Sequence, residues 1–264
     1  MTSPIGILDS GLGGLSVLNE VRKVLPGENV IYFGDSAWCP YGARPADEIQ
    51  RRVVAVTDFL LEQGCKLIII ACNSATIAAV EALRAQYPVP FIGMEPGVKP
   101  ATSLTKTGTV GVLATEASLA GEKFHRLVSN HCDGVKVITR PCPNFVKLVE
   151  RGELQGEKAR GIVEEEVLPL TEAGADVLVL GCTHYPFLRP LIQGIVGPDV
   201  TLLDTGAAVA RHAKSKIKLP SSEINPAHYQ IITTGDLAHL QKLFPTLCPD
   251  IPAEQTRYSH SNLA

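Results

Sequence analysis

At 264 residues, the chain is long enough for roughly 73% of its unfolded surface to be buried on folding, so it needs no covalent staples. A formal net charge of -3 without a block of like charge argues against a nucleic-acid partner, and no apolar run approaches the roughly 20 residues of a membrane span. Seven cysteines, an odd number with none in a C-x-x-C pair, read as reduced thiols, and no charged-then-apolar leader precedes the first strand, so a cytoplasmic protein is expected.

Ile5-Gly6-Ile7-Leu8 predicts a short buried strand running into Asp9-Ser10-Gly11-Leu12-Gly13-Gly14. Leu15, Leu18, Val21 and Leu25 then fall three or four apart on a helix closed by Pro26-Gly27. This is not a dinucleotide fingerprint: Ser16 stands where the third glycine belongs, and an acidic residue precedes the glycines where it would repel a pyrophosphate. Asp9 is expected at the mouth of the helix, where the ordinary role of such a carboxylate is an N-cap.

Val30 to Phe33 predicts the second strand, followed by a loop with Pro40-Tyr41-Gly42, whose amides and tyrosyl hydroxyl could meet a small polar ligand. A helix from about Pro45 to Gln63 follows, stopped by Gly64. Leu67-Ile68-Ile69-Ile70 then reads as a strand buried on both faces, with Ala71-Cys72-Asn73-Ser74 turning into the next helix. Cys72 therefore sits at the carboxyl edge of a parallel sheet, where ligands bind in open α/β folds, with Asn73 and Ser74 at a helix N-terminus. The helix ends near Tyr87-Pro88, Phe91-Ile92-Gly93 makes a short strand, and Glu95 to Pro100, with two prolines and a glycine, predicts a domain crossing.

The pattern then begins again. Thr109-Val110-Gly111-Val112-Leu113 matches the opening strand, with Thr115 to Ser118 in place of the Asp9-Ser10 loop. A helix around Leu119 to Val128, a strand over Val135 to Thr139, a helix with Phe145, Leu148 and Val149, and a longer helix from about Gly156 to Ala173 lead to Val177-Leu178-Val179-Leu180-Gly181-Cys182-Thr183-His184. The first strands lie 105 residues apart in sequence and the two cysteines 110. The expected architecture is α/β: two pseudo-symmetric open parallel-sheet domains with the active site in the cleft between them. Residues 1–95 and 206–264 form the first, carrying Asp9 and Cys72; residues 96–205 form the second, carrying Thr115, Cys182 and His184. After strand Val200 to Leu203, a helix from Ala207, a strand over Tyr229 to Ile232 and a helix over Leu237 to Phe244 return to the first domain. The polar tail from Pro249 is expected to be peripheral.

Two opposed thiols permit removal of a proton from one face of a carbon and delivery of another to the opposite face. A thiol near pKa 8.5 suits the task, because neighbouring charges and dipoles can move it either way. Asp9 and His184 stand where they could manage the protonation of Cys72 and Cys182. Ser10, Asn73, Ser74, Thr115 and Thr183 offer neutral donors and acceptors for an amino acid.

Leu8-Asp9-Ser10-Gly11-x-Gly13-Gly14, Pro40-Tyr41-Gly42, Ala71-Cys72-Asn73-Ser74 and Gly181-Cys182-Thr183-His184-Tyr185-Pro186 together resemble the cofactor-independent glutamate racemases, over nearly the whole chain. The resemblance implies proton exchange with D-glutamate at Cys72 and with L-glutamate at Cys182, for peptidoglycan synthesis. It implies substrate contacts from Asp9-Ser10, Tyr41-Gly42, Asn73-Ser74 and Thr183-His184, with Thr115 and Ser118 nearby, and a homodimer. Ser74 and Ser118 replace the family's usual threonines, which keeps the hydroxyl, and Arg44-Pro45 replaces its Lys-Ser. Without the N-terminal extension of members activated by a peptidoglycan precursor, no such activation is expected.

The rival readings are an aspartate racemase, a cysteine hydrolase using Cys182 and His184, which leaves Cys72 without a role, and a catalytically silent binding protein of the same fold. No metal is expected, because the histidines lack H-x-x-x-H spacing, and no cofactor, because no lysine accompanies the motifs to bind pyridoxal.

Overall fold

The computed structural model describes residues 3–132, 134–217 and 226–263. The chain divides into two compact units, Met1–Met94 with Gly206–Ala264, and Glu95–Thr205.

The first unit opens with β1 (Ile5–Asp9), α1 (Leu15–Val24), β2 (Val30–Gly34), α2 (Ala46–Glu62), β3 (Leu67–Ile70), α3 (Asn73–Gln86) and β4 (Phe91–Ile92). One-turn 3-10 helices at Ser36–Trp38 and Tyr41–Ala43 lie between β2 and α2. The second unit holds α4 (Val98–Leu104), β5 (Thr109–Ala114), α5 (Glu116–Ala120), α6 (Glu122–His131), β6 (Lys136–Pro141), α7 (Pro143–Arg151), α8 (Glu157–Glu172), β7 (Val177–Leu180), α9 (Arg189–Val196) and β8 (Thr201–Leu203). The chain then returns to the first unit with α10 (Gly206–Lys216), β9 (Tyr229–Thr233), α11 (Leu237–Leu247) and β10 (Thr256–His260).

Each unit is built on its own parallel sheet. The first runs β10-β9-β2-β1-β3-β4 and the second β6-β5-β7-β8. The order β2-β1-β3-β4 is therefore repeated as β6-β5-β7-β8, and the registers agree: Ile5 pairs with Leu67 as Val110 pairs with Val177. The aliphatic runs of β1, β3, β5 and β7 are buried throughout, as strands covered by helices on both faces must be. In the first unit one apolar cluster gathers Leu8, Phe33, Tyr41, Val53, Ile68, Ile70 and Ile232; in the second another gathers Val110, Val112, Phe124, Val177 and Val179.

Two expectations need correction, and one helix begins inside the expected crossing. The tail is not peripheral: Thr256–His260 is β10, paired in parallel with β9, and Tyr258 packs edge-on against Phe244 with ring centroids 5.4 Å apart. Polar residues suffice there because an edge strand buries little of each side chain. The proline-rich crossing is partly helical, since Pro100 lies in the first turn of α4, where a missing amide costs nothing. The helix expected around Leu119 to Val128 is two, α5 and α6, parted at Gly121.

Candidate active site

In the first unit the ladder between β1 and β3 runs one bond past β3, with the Ala71 amide donating to the Leu8 carbonyl at 2.8 Å. That bond brings Cys72 beside the loop that leaves β1. Cys72 is the N-cap residue of α3, in extended conformation and 7% exposed. Cys72 thus stands at the positive end of the 14-residue α3 dipole, with no cap hydrogen bond from its side chain. The Cys72 thiol lies 3.8 Å from the Ser10 hydroxyl, and Asn73 and Ser74 are buried in the first turn of α3.

Asp9 closes β1, 1% exposed, and its Oδ2 accepts the Gly11 amide at 2.9 Å. It is not the helix cap that its position suggests: the N-cap of α1 is Gly14, with no side-chain cap bond. Gly14 is required for space, because a Cβ there would fall 2.6 Å from the Asp9 Cβ and 3.1 Å from the Ala71 Cβ. The missing side chain lets the entry of α1 approach both Asp9 and the strand end that carries Cys72.

The turn at Pro40, Tyr41 and Gly42 packs against α3. Pro40 is exposed, Gly42 half-buried and Tyr41 buried. The Tyr41 hydroxyl donates to Asp35 Oδ2 at 2.6 Å, so its proton is committed within the protein and only its oxygen lone pair remains for a ligand. Burial, and then the Asp35 carboxylate, push the Tyr41 phenol far above its ordinary range. Asp35 is in turn gripped by Arg52, whose Nε and Nη2 donate at 2.6 and 2.8 Å.

The second unit repeats the arrangement with different chemistry. The Gly181 amide donates to the Leu113 carbonyl at 2.7 Å, the counterpart of the Ala71 bond, and Cys182 follows, 9% exposed. No α-helix starts at this cysteine. Thr183 and His184 lie in a turn that leads to a 3-10 helix, Tyr185–Leu188, and only then to α9. His184, 2% exposed, places Nδ1 3.6 Å from the Cys182 sulfur and Nε2 2.7 Å from Glu150 Oε1. A carboxylate on Nε2 favours the tautomer that carries its proton there, leaving Nδ1 to accept from the thiol. Thr115 caps α5: its hydroxyl oxygen accepts the Ser118 amide at 3.2 Å, and its O–H donates to the Ser118 hydroxyl at 2.9 Å. Ser118 is fully buried and holds Thr115 in place.

The sequence reading missed Glu150, Asp35 and Arg52. One signal for Glu150 was available. It is a carboxylate in the last turn of α7, where the helix dipole disfavours negative charge and the chain has reason to keep it only if a partner waits. Burial disfavours the thiolate at four of the remaining cysteines, pushing the Cys65 thiol up to about 12 and raising Cys132, Cys142 and Cys248 as well.

The family model for Asp/Glu/hydantoin racemases matches residues 6–213. A glutamate racemase of Herpetosiphon aurantiacus is 50% identical over 244 residues, covering 91% of this chain and 96% of its own. The crystal structure of Escherichia coli glutamate racemase, bound to L-glutamate and the activator UDP-MurNAc-Ala, superposes with a TM-score of 0.86 at 28% identity and covers 98% of both chains. That of the Francisella tularensis glutamate racemase with D-glutamate superposes at 0.83 with 28% identity, over 99% of this chain and 98% of the other. With two sheets of repeated strand order, each bearing a cysteine at the same edge, this chain belongs to the Asp/Glu/hydantoin racemase family.

Proposed function

We propose that this protein interconverts L- and D-glutamate without a cofactor, using Cys72 and Cys182 as two bases on opposite faces of the α-carbon, and so supplies D-glutamate for peptidoglycan synthesis. The observation that carries the reading is the equivalence of the two cysteines. Each stands two residues past the strand next to the opening strand of its sheet, and each has its own means of handling a proton. In the L to D direction, the Cys182 thiolate takes the α-proton and becomes a thiol. The electron pair left on carbon delocalises into the α-carboxylate, and the Cys72 thiol delivers its proton to the other face, ending as thiolate. Proton exchange with solvent, through the His184–Glu150 pair at Cys182 and through Asp9 at Cys72, returns each sulfur to its starting state.

Ser10, Asn73, Ser74, Thr115, Thr183 and the Tyr41-Gly42 turn are proposed to hold the substrate, with Ser118 fixing Thr115. Among the described residues no helix is long and apolar enough to cross a membrane, and we place the enzyme in the cytoplasm, whose reducing conditions keep both thiols free, as a homodimer.

The test is α-deuterium incorporation and optical rotation in deuterated water, from each enantiomer of glutamate and of aspartate, for the wild type, Cys72→Ala and Cys182→Ala. Racemisation by the wild type, lost in both variants by about a thousandfold or more, is expected for removal of an essential acid or base. Turnover of aspartate alone makes the protein an aspartate racemase. Inertness toward both amino acids makes it a silent binding protein of this fold.

A further inference from the structure

Arg52, on α2, has a guanidinium only 4% exposed. Its two bonds to Asp35 form a fork, and Asp35 also accepts the Tyr41 hydroxyl and, at 2.8 Å, the Thr234 hydroxyl. One carboxylate thus ties the end of β2 to the Tyr41 turn, to α2 and to the loop after β9. Arg52 reaches further: Nη2 also donates to the carbonyl oxygen of Leu263 at 2.8 Å. Leu263 lies just past β10, where the Ser261 amide donates to the Thr233 carbonyl at 2.8 Å and the Leu263 side chain packs on the same apolar cluster as Tyr41. Trp38 stacks under two guanidiniums, with Arg44 4.6 Å and Arg52 5.1 Å from its ring, and its carbonyl accepts from Arg44 Nε at 2.8 Å.

The geometry points to Arg52 and the segment Ser261–Leu263 as a latch that holds the Tyr41-Gly42 turn in its binding position and so sets the enzyme's affinity for its substrate. The latch is a positioning device, since it touches Tyr41 through Asp35, and its catalytic consequence rests on the glutamate reading above. A contact that orients substrate equally in the ground and transition states changes KM and leaves kcat in place. Lysine cannot replace Arg52, because a point charge on a flexible stem cannot bond both carboxylate oxygens and the Leu263 carbonyl from one plane.

Trp38 is the chain's single tryptophan, so its fluorescence reports this region without substrate. The variants are Arg52→Lys and the full chain ended after Asn262, which removes both the Leu263 carbonyl and its packing side chain and leaves both residues of the buried ion pair in place. For the shortened chain we expect a red-shifted, more readily quenched Trp38 emission and a glutamate KM raised about fivefold, with kcat within about twofold of wild type. Arg52→Lys should move both readouts in the same directions and further; if it does not fold, the shortened chain decides alone. Unchanged emission, an unchanged KM, or a loss confined to kcat overturns the latch. If the intact protein leaves both enantiomers of glutamate untouched, it is the glutamate reading that fails, and the latch is then judged on Trp38: a shift on shortening supports it and constant emission overturns it.

Discussion

The two cysteine environments occupy equivalent strand ends and are built from different materials. Cys72 stands at the N-terminus of a 14-residue helix, with a hydroxyl from Ser10 beside its sulfur and the Asp9 carboxylate on the neighbouring strand end. Cys182 has no such helix and lies beside an imidazole that is hydrogen-bonded to a carboxylate. The first sets a helix N-terminus and a carboxylate near the sulfur; the second sets beside it an imidazole able to take a proton and give it back. A repeated fold thus fixes where each sulfur sits, and the residues after the strand decide what surrounds it.

The sharpest way to break this comparison is His184→Asn. If the imidazole serves Cys182 alone, exchange from L-glutamate should fall about a hundredfold to a thousandfold, while exchange from D-glutamate in a single-face deuterium assay falls far less. Equal loss from both enantiomers would sink the division of labour. Glu150→Gln should follow with a smaller effect in the same direction, about tenfold, because the amide still occupies Nε2 but no longer favours the neutral tautomer that accepts the thiol proton. Partial recovery in Glu150→Asp would identify the carboxylate, not its volume, as the active feature.

On the other side, Gly14→Ala places a methyl 2.6 Å from the Asp9 Cβ. Overpacking of this kind costs about 1–3 kcal/mol, and the thermal midpoint should drop accordingly, with exchange from D-glutamate falling more than exchange from L-glutamate. A wild-type midpoint would mean that α1 can shift without disturbing Asp9.

The smallest effect concerns acid stability and belongs to the second unit. Burial alone would raise the Asp176 carboxyl, yet bonds from the Thr105 hydroxyl and the Lys106 and Thr107 amides hold it below its ordinary value. A folded value below the unfolded one means that its contribution is complete above the usual carboxylate range and is lost as pH falls through the folded value. Asp176→Asn should therefore lower stability slightly near neutrality and flatten the acid side of the denaturation profile. A variant with an unaltered acid limb would refute the assignment.

What the sequence disclosed follows from the physics of each element. β3 and β7 announce themselves because a strand buried on both faces must be aliphatic throughout, and a small residue and a cysteine after each run mark the sheet edge. β10 does not, because Thr-Arg-Tyr-Ser-His carries no apolar alternation and owes its conformation to the free edge of β9. The partners of the site were hidden for a similar reason. Glu150 precedes His184 by 34 residues, and Arg52 meets a carbonyl 211 residues away, separations that no local periodicity encodes. The Tyr41 hydroxyl was legible as a polar group near the site, but its commitment to Asp35 was not, since that depends on where the end of β2 stands in the sheet.

The return of the chain to its first sheet also sets an order of completion during synthesis. β9 pairs with β2 on one side and β10 on the other, so the hydrogen-bonding edge of Val30–Gly34 stays open until Tyr229–Thr233 has left the ribosome. The second unit, continuous from Glu95 to Thr205, can close its sheet before the residues that finish the first have been made. The half that begins first is finished last, and throughout that interval an apolar strand edge is exposed in a crowded cell, where premature pairing is the hazard to be avoided.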